Sequence, residues 1–349
     1  MYPLTTALAK TLTTALLVLT GLCACRSSTP PPEARFSVFG TEVQVLIRSD
    51  DRQATARAFR ELGSLFQRLH QDWHPWQTGA LTGLNDALVS GQWVETQPEL
   101  IELIRSAREF EADSEGLFNA GIGALVARWG FHTSDYPITT PPPSEAAIAA
   151  WMATSPSLSQ LEIDGNRVRS HNRQLQLDFS GLAKGLAGRL ACDVLVRREL
   201  EEALINLGGD VVICEESQNP WKIAISDGHQ GIFQTIELNG PVAVFSSGSA
   251  QRWGQWNGKR YAHLLDPRTG TAVSDAIQVT VIHHDPLRAD AAATAIAIAG
   301  SDDWARIASS MQVSETLVIG ESGVVRMSQG FEVRLEGSDQ RIARKSERR

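Results

Sequence analysis

Asp290 and Thr294 stand four residues apart in the alanine-rich run ADAAATA, which Asp285-Pro286 opens as an N-cap and first helical position. On a helix they share one face, and the neighbouring alanines leave space beside them. A carboxylate and a hydroxyl so placed suit a hard cation. Magnesium takes oxygen ligands and keeps waters or substrate phosphates in its shell. The same two residues also suit a first-turn charge and a filler on a packed helix.

Three further segments carry complementary groups. In LDFSGLAKG, residues 177–185, a buried-looking strand runs through a glycine turn into a helix. Asp178 at the strand end, a carbonyl-exposing Gly181 and Lys184 at a helix start can meet a diphosphate, the lysine and helix N-terminus supplying positive potential. Paired glycines in INLGGD, residues 205–210, let backbone approach a ligand or simply bend between strands. In YAHLLDPRTG, residues 261–270, a tight turn fixes His263 on the strand before it. Among eight histidines, His263 is the best general-base candidate, although a lone strand histidine also serves as packing. His283 and His284 are adjacent on a predicted strand and point to opposite faces, which argues against a shared ion.

In order and spacing, these four segments resemble the ApbE family of FAD:protein FMN transferases. The resemblance extends to Phe39-Gly40-Thr41, to LTGLN and to EGLFNAGIGALVARWGF. It implies an α+β protein, one globular domain with a T-fold-like core, that binds FAD and Mg2+. Such proteins cleave the FAD diphosphate and pass FMN to a threonine or serine of an acceptor protein, releasing AMP. On that resemblance Asp290 and Thr294 hold magnesium with the carbonyls of Gly181 and Ala293. Asp178 and Lys184 contact FAD, while Phe39, Trp76, Phe118, Asn119 and Leu265 line the rest of the flavin nucleotide site. His263 accepts the proton of the incoming hydroxyl, and Lys184 adds electrostatic stabilisation. Arg189 and Ser249 stand where members often carry acidic or amide side chains, and Asn119 where they often carry Asp. An FAD diphosphatase yielding FMN and AMP, or a flavin-binding lipoprotein without catalysis, are the alternatives. The acceptor implied is a subunit of a membrane redox complex.

These groups need a scaffold, and 349 residues, 42% hydrophobic and 21% charged, suffice for a full core. A net charge of -8 argues against a nucleic-acid surface. Periodicity predicts strand character over Arg35–Ile47, helices over 52–73, 99–113, 182–200 and 286–299, and a proline-broken loop or flap over 137–144. Strands and helices in no strict alternation indicate α+β. Residues 1–24 read as a signal peptide, its apolar run too short to span a bilayer. Leu22-Cys23-Ala24-Cys25 resembles a lipobox, with Cys25 as the lipidated residue, no Asp after it, and a Pro/Ser-rich tether over 25–34. That combination predicts a periplasm-facing lipoprotein of the outer membrane. The flavin transferase domain is then residues 35–336, followed by a charged tail over 337–349. Cys192 and Cys214 suit either a disulfide or two buried thiols.

Overall fold

Alternating side chains of Glu33–Val38 (β1) and Thr41–Ile47 (β2) pair antiparallel with Val38 opposite Thr41. Phe39 and Gly40 close the hairpin, both at positive φ, 56° and 68°. That is the two-residue turn whose twist matches the strands it joins. A computed structural model describes residues 30–217, 219–229, 231–249, 252–273 and 278–336. The segment read as a signal peptide, Cys25 and the first half of the tether lie outside the described residues, as does the charged tail.

Asp51 caps the first helix, Arg52–Asp72 (α1), accepting from the Gln53 and Ala54 N–H groups. Its buried stripe is Ala58, Leu62, Phe66 and Leu69. Next come Ala80–Leu88 (α2), Val94–Glu95 (β3), Pro98–Asp113 (α3), Gly123–Arg128 (α4) and Glu145–Met152 (α5). Leu161–Asp164 (β4) and Arg167–Ser170 (β5) precede Ala183–Val196 (α6). The second half brings Ala203–Leu207 (β6), Asp210–Ile213 (β7), Trp221–Ser226 (β8), Ile232–Leu238 (β9) and Val242–Gly248 (β10). Trp253–Trp256 (β11), Lys259–Ala262 (β12), Leu265–Asp266 (β13), Thr271–Ala272 (β14) and Gln278–His283 (β15) follow. Pro286–Ser310 (α7), Glu315–Ile319 (β16), Val325–Met327 (β17) and Gln329–Glu336 (α8) complete the elements of the described residues.

Eight strands make the main sheet, in the order β1-β2-β6-β7-β10-β15-β16-β17, each pair antiparallel. Strand alternation divides its side chains between two cores. On β10, Ala243 and Phe245 join one core with residues of α1, α6 and α7. Val244 joins the other, with Trp221 and Ile223 of β8, Ile236 of β9 and Phe331 of α8. A third cluster packs Leu125, Trp129 and Phe131 against Trp151 and Leu265. The result is the mixed helix-and-sheet domain expected.

Several local expectations change. Leu177–Phe179 is loop rather than strand. The Asn85 side chain bonds both Leu177 N–H (2.7 Å) and Leu177 C=O (2.9 Å), doing for this segment what a neighbouring strand does elsewhere. The proline-broken stretch is followed by α5, which Ser144 caps. Helix α6 ends at Val196, and α7 runs on to Ser310 across a break at Gly300, whose φ is 76°. His263 sits at a bend just past β12, not on a strand. His283 and His284 do meet, ring centroids 4.1 Å apart, because β15 ends at His283 and the chain turns there. Cys192 of α6 and Cys214, just past β7, form a disulfide. No helix among the described residues is long and apolar enough to cross a membrane.

Candidate active site

Gly185 fixes how closely α6 and α7 meet, since a Cβ there would lie 2.5 Å from the Pro286 carbonyl oxygen. Across this gap the Gly185 N–H donates to Asp290 Oδ2 at 3.0 Å. Lys184, one residue earlier, bonds through Nζ to the Asp210 carboxylate. The second Asp210 oxygen accepts from the Ser246 N–H at 2.8 Å. Burial alone would lower the Lys184 pKa, but Asp210 and Asp290 outweigh it and hold the ammonium above its ordinary value. Asp290 moves the other way. Burial pushes its carboxyl up to about 7 against the pull of Lys184, and the Asp210 charge adds to the rise.

Two buried carboxylates thus share one ammonium, and Asp290 holds a proton well above the usual carboxylate range. One turn beyond Asp290, the Thr294 hydroxyl lies 3.2 Å from the Ser247 hydroxyl. Gly181 packs directly against Thr294 and Phe118, its virtual Cβ only 3.2 and 3.3 Å from their nearest atoms. Ala293 is buried beside Thr294. An oxygen-only donor set fits a hard cation such as magnesium. Among the described residues no group of three or more His, Cys, Asp or Glu side chains is arranged for a metal, so a transition-metal centre at His283 and His284 finds no support.

A second wall gathers around Asp178. Its Oδ1 accepts from the Ser180 N–H (2.9 Å) and hydroxyl (2.5 Å), while Oδ2 lies 3.2 Å from His132 Nε2. Burial raises its pKa, yet the His132 and Ser180 hydrogen bonds win and hold it below the usual carboxylate value. Trp76 stacks on His132, centroids 5.2 Å apart and planes 20° apart, and its edge meets His74 at 4.4 Å. His70 lies 5.4 Å from His74 and accepts the Phe39 N–H at 3.2 Å. Burial and the neighbouring His70 and His132 depress the His74 pKa.

His263 occupies a third position. Its Nδ1 is 3.0 Å from the Arg252 carbonyl oxygen, which can only accept, so Nδ1 carries the proton and Nε2 keeps its lone pair. Dense packing, with the charges of Arg252 and Lys184, lowers its pKa to about 4. The imidazole is therefore neutral at pH 7 and able to take a proton.

The remaining predicted residues divide. Phe39, Trp76 and Phe118 belong to these walls. Leu265 is buried in the third cluster, two residues from His263. Asn119 engages its side chain with backbone, Oδ1 accepting from Gly121 N–H (2.7 Å) and Nδ2 donating to the Pro156 carbonyl 37 residues on (2.9 Å). Arg189 pairs with Glu102 and Asp193 away from the cluster, whereas the Ser249 hydroxyl is buried without a hydrogen bond among the described residues. Sequence reasoning quoted Asp210 inside a motif without a role and passed over His132. A buried Asp opening a strand was a usable signal for the first, and His132 carried none.

The ApbE family model matches residues 39–318. A FAD:protein FMN transferase of Rhodobacter capsulatus is 35% identical over 326 residues, 92% of this chain and 61% of the relative. This chain therefore spans about three-fifths of that relative's length. A FAD:protein FMN transferase of Haemophilus influenzae is 23% identical over 87% of this chain and 91% of its own. The ApbE protein of Thermotoga maritima superposes with a TM-score of 0.79 at 26% identity, covering 87% of this chain and 99% of that one. The apo form of the Pseudomonas stutzeri flavinyl transferase ApbE gives 0.76 at 25% identity, covering 87% and 96%.

Proposed function

We propose that this chain, which belongs to the ApbE family, transfers FMN from FAD to a threonine or serine hydroxyl of an acceptor protein and releases AMP. In that step the acceptor oxygen bonds to the FMN phosphorus, the bond from that phosphorus to the bridging oxygen breaks, and AMP leaves with that oxygen. One observation carries the reading. Lys184 is paired with Asp210 while the next residue's N–H bonds Asp290, and His263 bonds the Arg252 carbonyl through Nδ1, which leaves Nε2 to accept a proton.

His263 Nε2 takes the hydroxyl proton as the new bond forms. Lys184 stays charged through the reaction and faces the negative charge that develops on the diphosphate. Asp290 and Thr294, with the backbone of Gly181 and Ala293, would hold Mg2+. When bound, the ion neutralises diphosphate charge as the bond breaks. The Trp76, Phe39 and Phe118 rings offer apolar surface for the flavin nucleotide beside Asp178.

A bacterial envelope location fits the same reading: a signal peptide over 1–24, lipid attachment at Cys25 and a domain facing the periplasm, at the outer membrane. The Cys192–Cys214 disulfide supports an oxidising compartment. The acceptor we propose is a subunit of a membrane redox complex. Incubating the protein with FAD, Mg2+ and a peptide bearing an acceptor threonine, and following peptide mass and AMP, tests the activity. Transfer predicts an FMN-sized mass gain with one AMP per event. AMP with free FMN and an unmodified peptide identifies a diphosphatase, and FAD that stays bound and intact identifies a carrier.

A further inference from the structure

The wall around Asp178 has an aromatic side and a loop side that leads to the acidic wall, and the two sides meet at His132. Trp76, His74, His70 and Phe39 form a continuous run of ring and N–H contacts. Asp178 lies on the loop that goes on to Gly181 and Lys184, which reach Thr294 and Asp210. His132 touches both sides, its ring stacked on Trp76 and its Nε2 on Asp178. With Ser180 holding the other oxygen, both oxygens of the Asp178 carboxylate are engaged, so it cannot turn without breaking a bond.

From this we infer that His132 is a positioning residue, fixing the distance between the aromatic side, which would take a ring, and the Asp178 loop, which leads on to the diphosphate-binding residues. The inference rests on the flavin-transfer reading above. A dinucleotide whose planar ring and diphosphate are covalently joined must engage both at once, and pre-set spacing spares it the cost of ordering them. A ligand that engages only the diphosphate-binding residues gains nothing from the tie. His132 therefore favours FAD over smaller phosphates without touching the reacting atoms.

Two variants separate the contacts. His132→Phe keeps a ring to stack and loses the bond to Asp178; His132→Gln keeps an N–H donor and loses the ring. We expect either to raise the Kd and KM for FAD roughly tenfold, about the loss of one good contact, with kcat changed much less. Inorganic pyrophosphate, bound in competition with FAD, should keep its wild-type affinity. Adding Asp178→Asn to His132→Phe should cost less than the sum of the two, because both break the same tie. Unchanged FAD affinity in both single variants overturns the inference, and so does a parallel loss of FAD and pyrophosphate affinity, which would mean a merely structural histidine. Wild-type protein that fails to bind FAD at all overturns the flavin-transfer reading itself, and this inference with it.

Discussion

Asp178 and Asp290 are both buried, 9% and 4% exposed, yet their carboxyls shift in opposite directions. The difference lies in the donors around them. Asp178 has the Ser180 N–H, the Ser180 hydroxyl and His132, so burial costs it little as an anion. Asp290 has backbone N–H groups and a lysine it must share with Asp210. One carboxylate has its donors in full, whereas the other is short of them and meets its burial by holding a proton. Burial alone does not set a carboxylate's state; the count of donors and countercharges does. The carboxylate short of donors is where a cation is expected to act.

The sharpest way to break this contrast is Asp290→Ala. We expect a fall of about a thousandfold in Mg2+-stimulated FAD turnover, with Mg2+ no longer shifting the melting temperature. Turnover that remains magnesium-dependent would remove Asp290 from the cation site. His263→Ala comes next, with transfer down about a hundredfold or more and FAD affinity retained. At saturating Mg2+, the acid limb of wild-type transfer attributable to His263 should lie near its depressed value of about 4 rather than near 6.5.

Paired Cys192→Ser and Cys214→Ser substitutions probe the acidic wall mechanically, because the disulfide ties α6, which carries Lys184, to the segment following β7, which carries Asp210. Loss of about 2–4 kcal/mol is expected, read by urea unfolding of oxidised and reduced protein. Unfolding curves that ignore reduction would show the tie to be idle.

The smallest effect is in pH dependence. Asp290 has a raised folded-state pKa, so it favours the fold at low pH and costs stability as pH rises from about 4 toward 7. Asp178 has a lowered one, so its stabilisation is present above pH 4 and is lost as pH falls through its folded-state value. His263 gives stability above 6.5 that is lost as pH falls toward 4, opposite in sign to Asp290 over much of the same range. Melting curves of wild type against Asp290→Asn isolate one contribution. The difference should grow by a few degrees in favour of the variant between pH 4 and 7, and Mg2+ should diminish it.

Much of this was legible from local pattern. The Asp285 cap and the stripe of α1 follow from residues within a few positions of each other. So does the shared helix face of Asp290 and Thr294, which spacing alone establishes. What escaped was long-range satisfaction of polar groups. Asn85 takes over Leu177 from 92 residues away and turns an apparent strand into loop. The Asn119 amide likewise reaches the Pro156 carbonyl 37 residues on, a partner no local pattern signals.

By itself the sequence determined the elements, the cation-compatible pair and the family resemblance, because capping, periodicity and motif order are local in the chain. Only the tertiary structure decided which charges face one another. Lys184 meets Asp210 from 26 residues away and His132 meets Asp178 from 46, so the number of donors around each carboxylate is settled when the walls close. That count, rather than residue type, makes two buried aspartates behave oppositely.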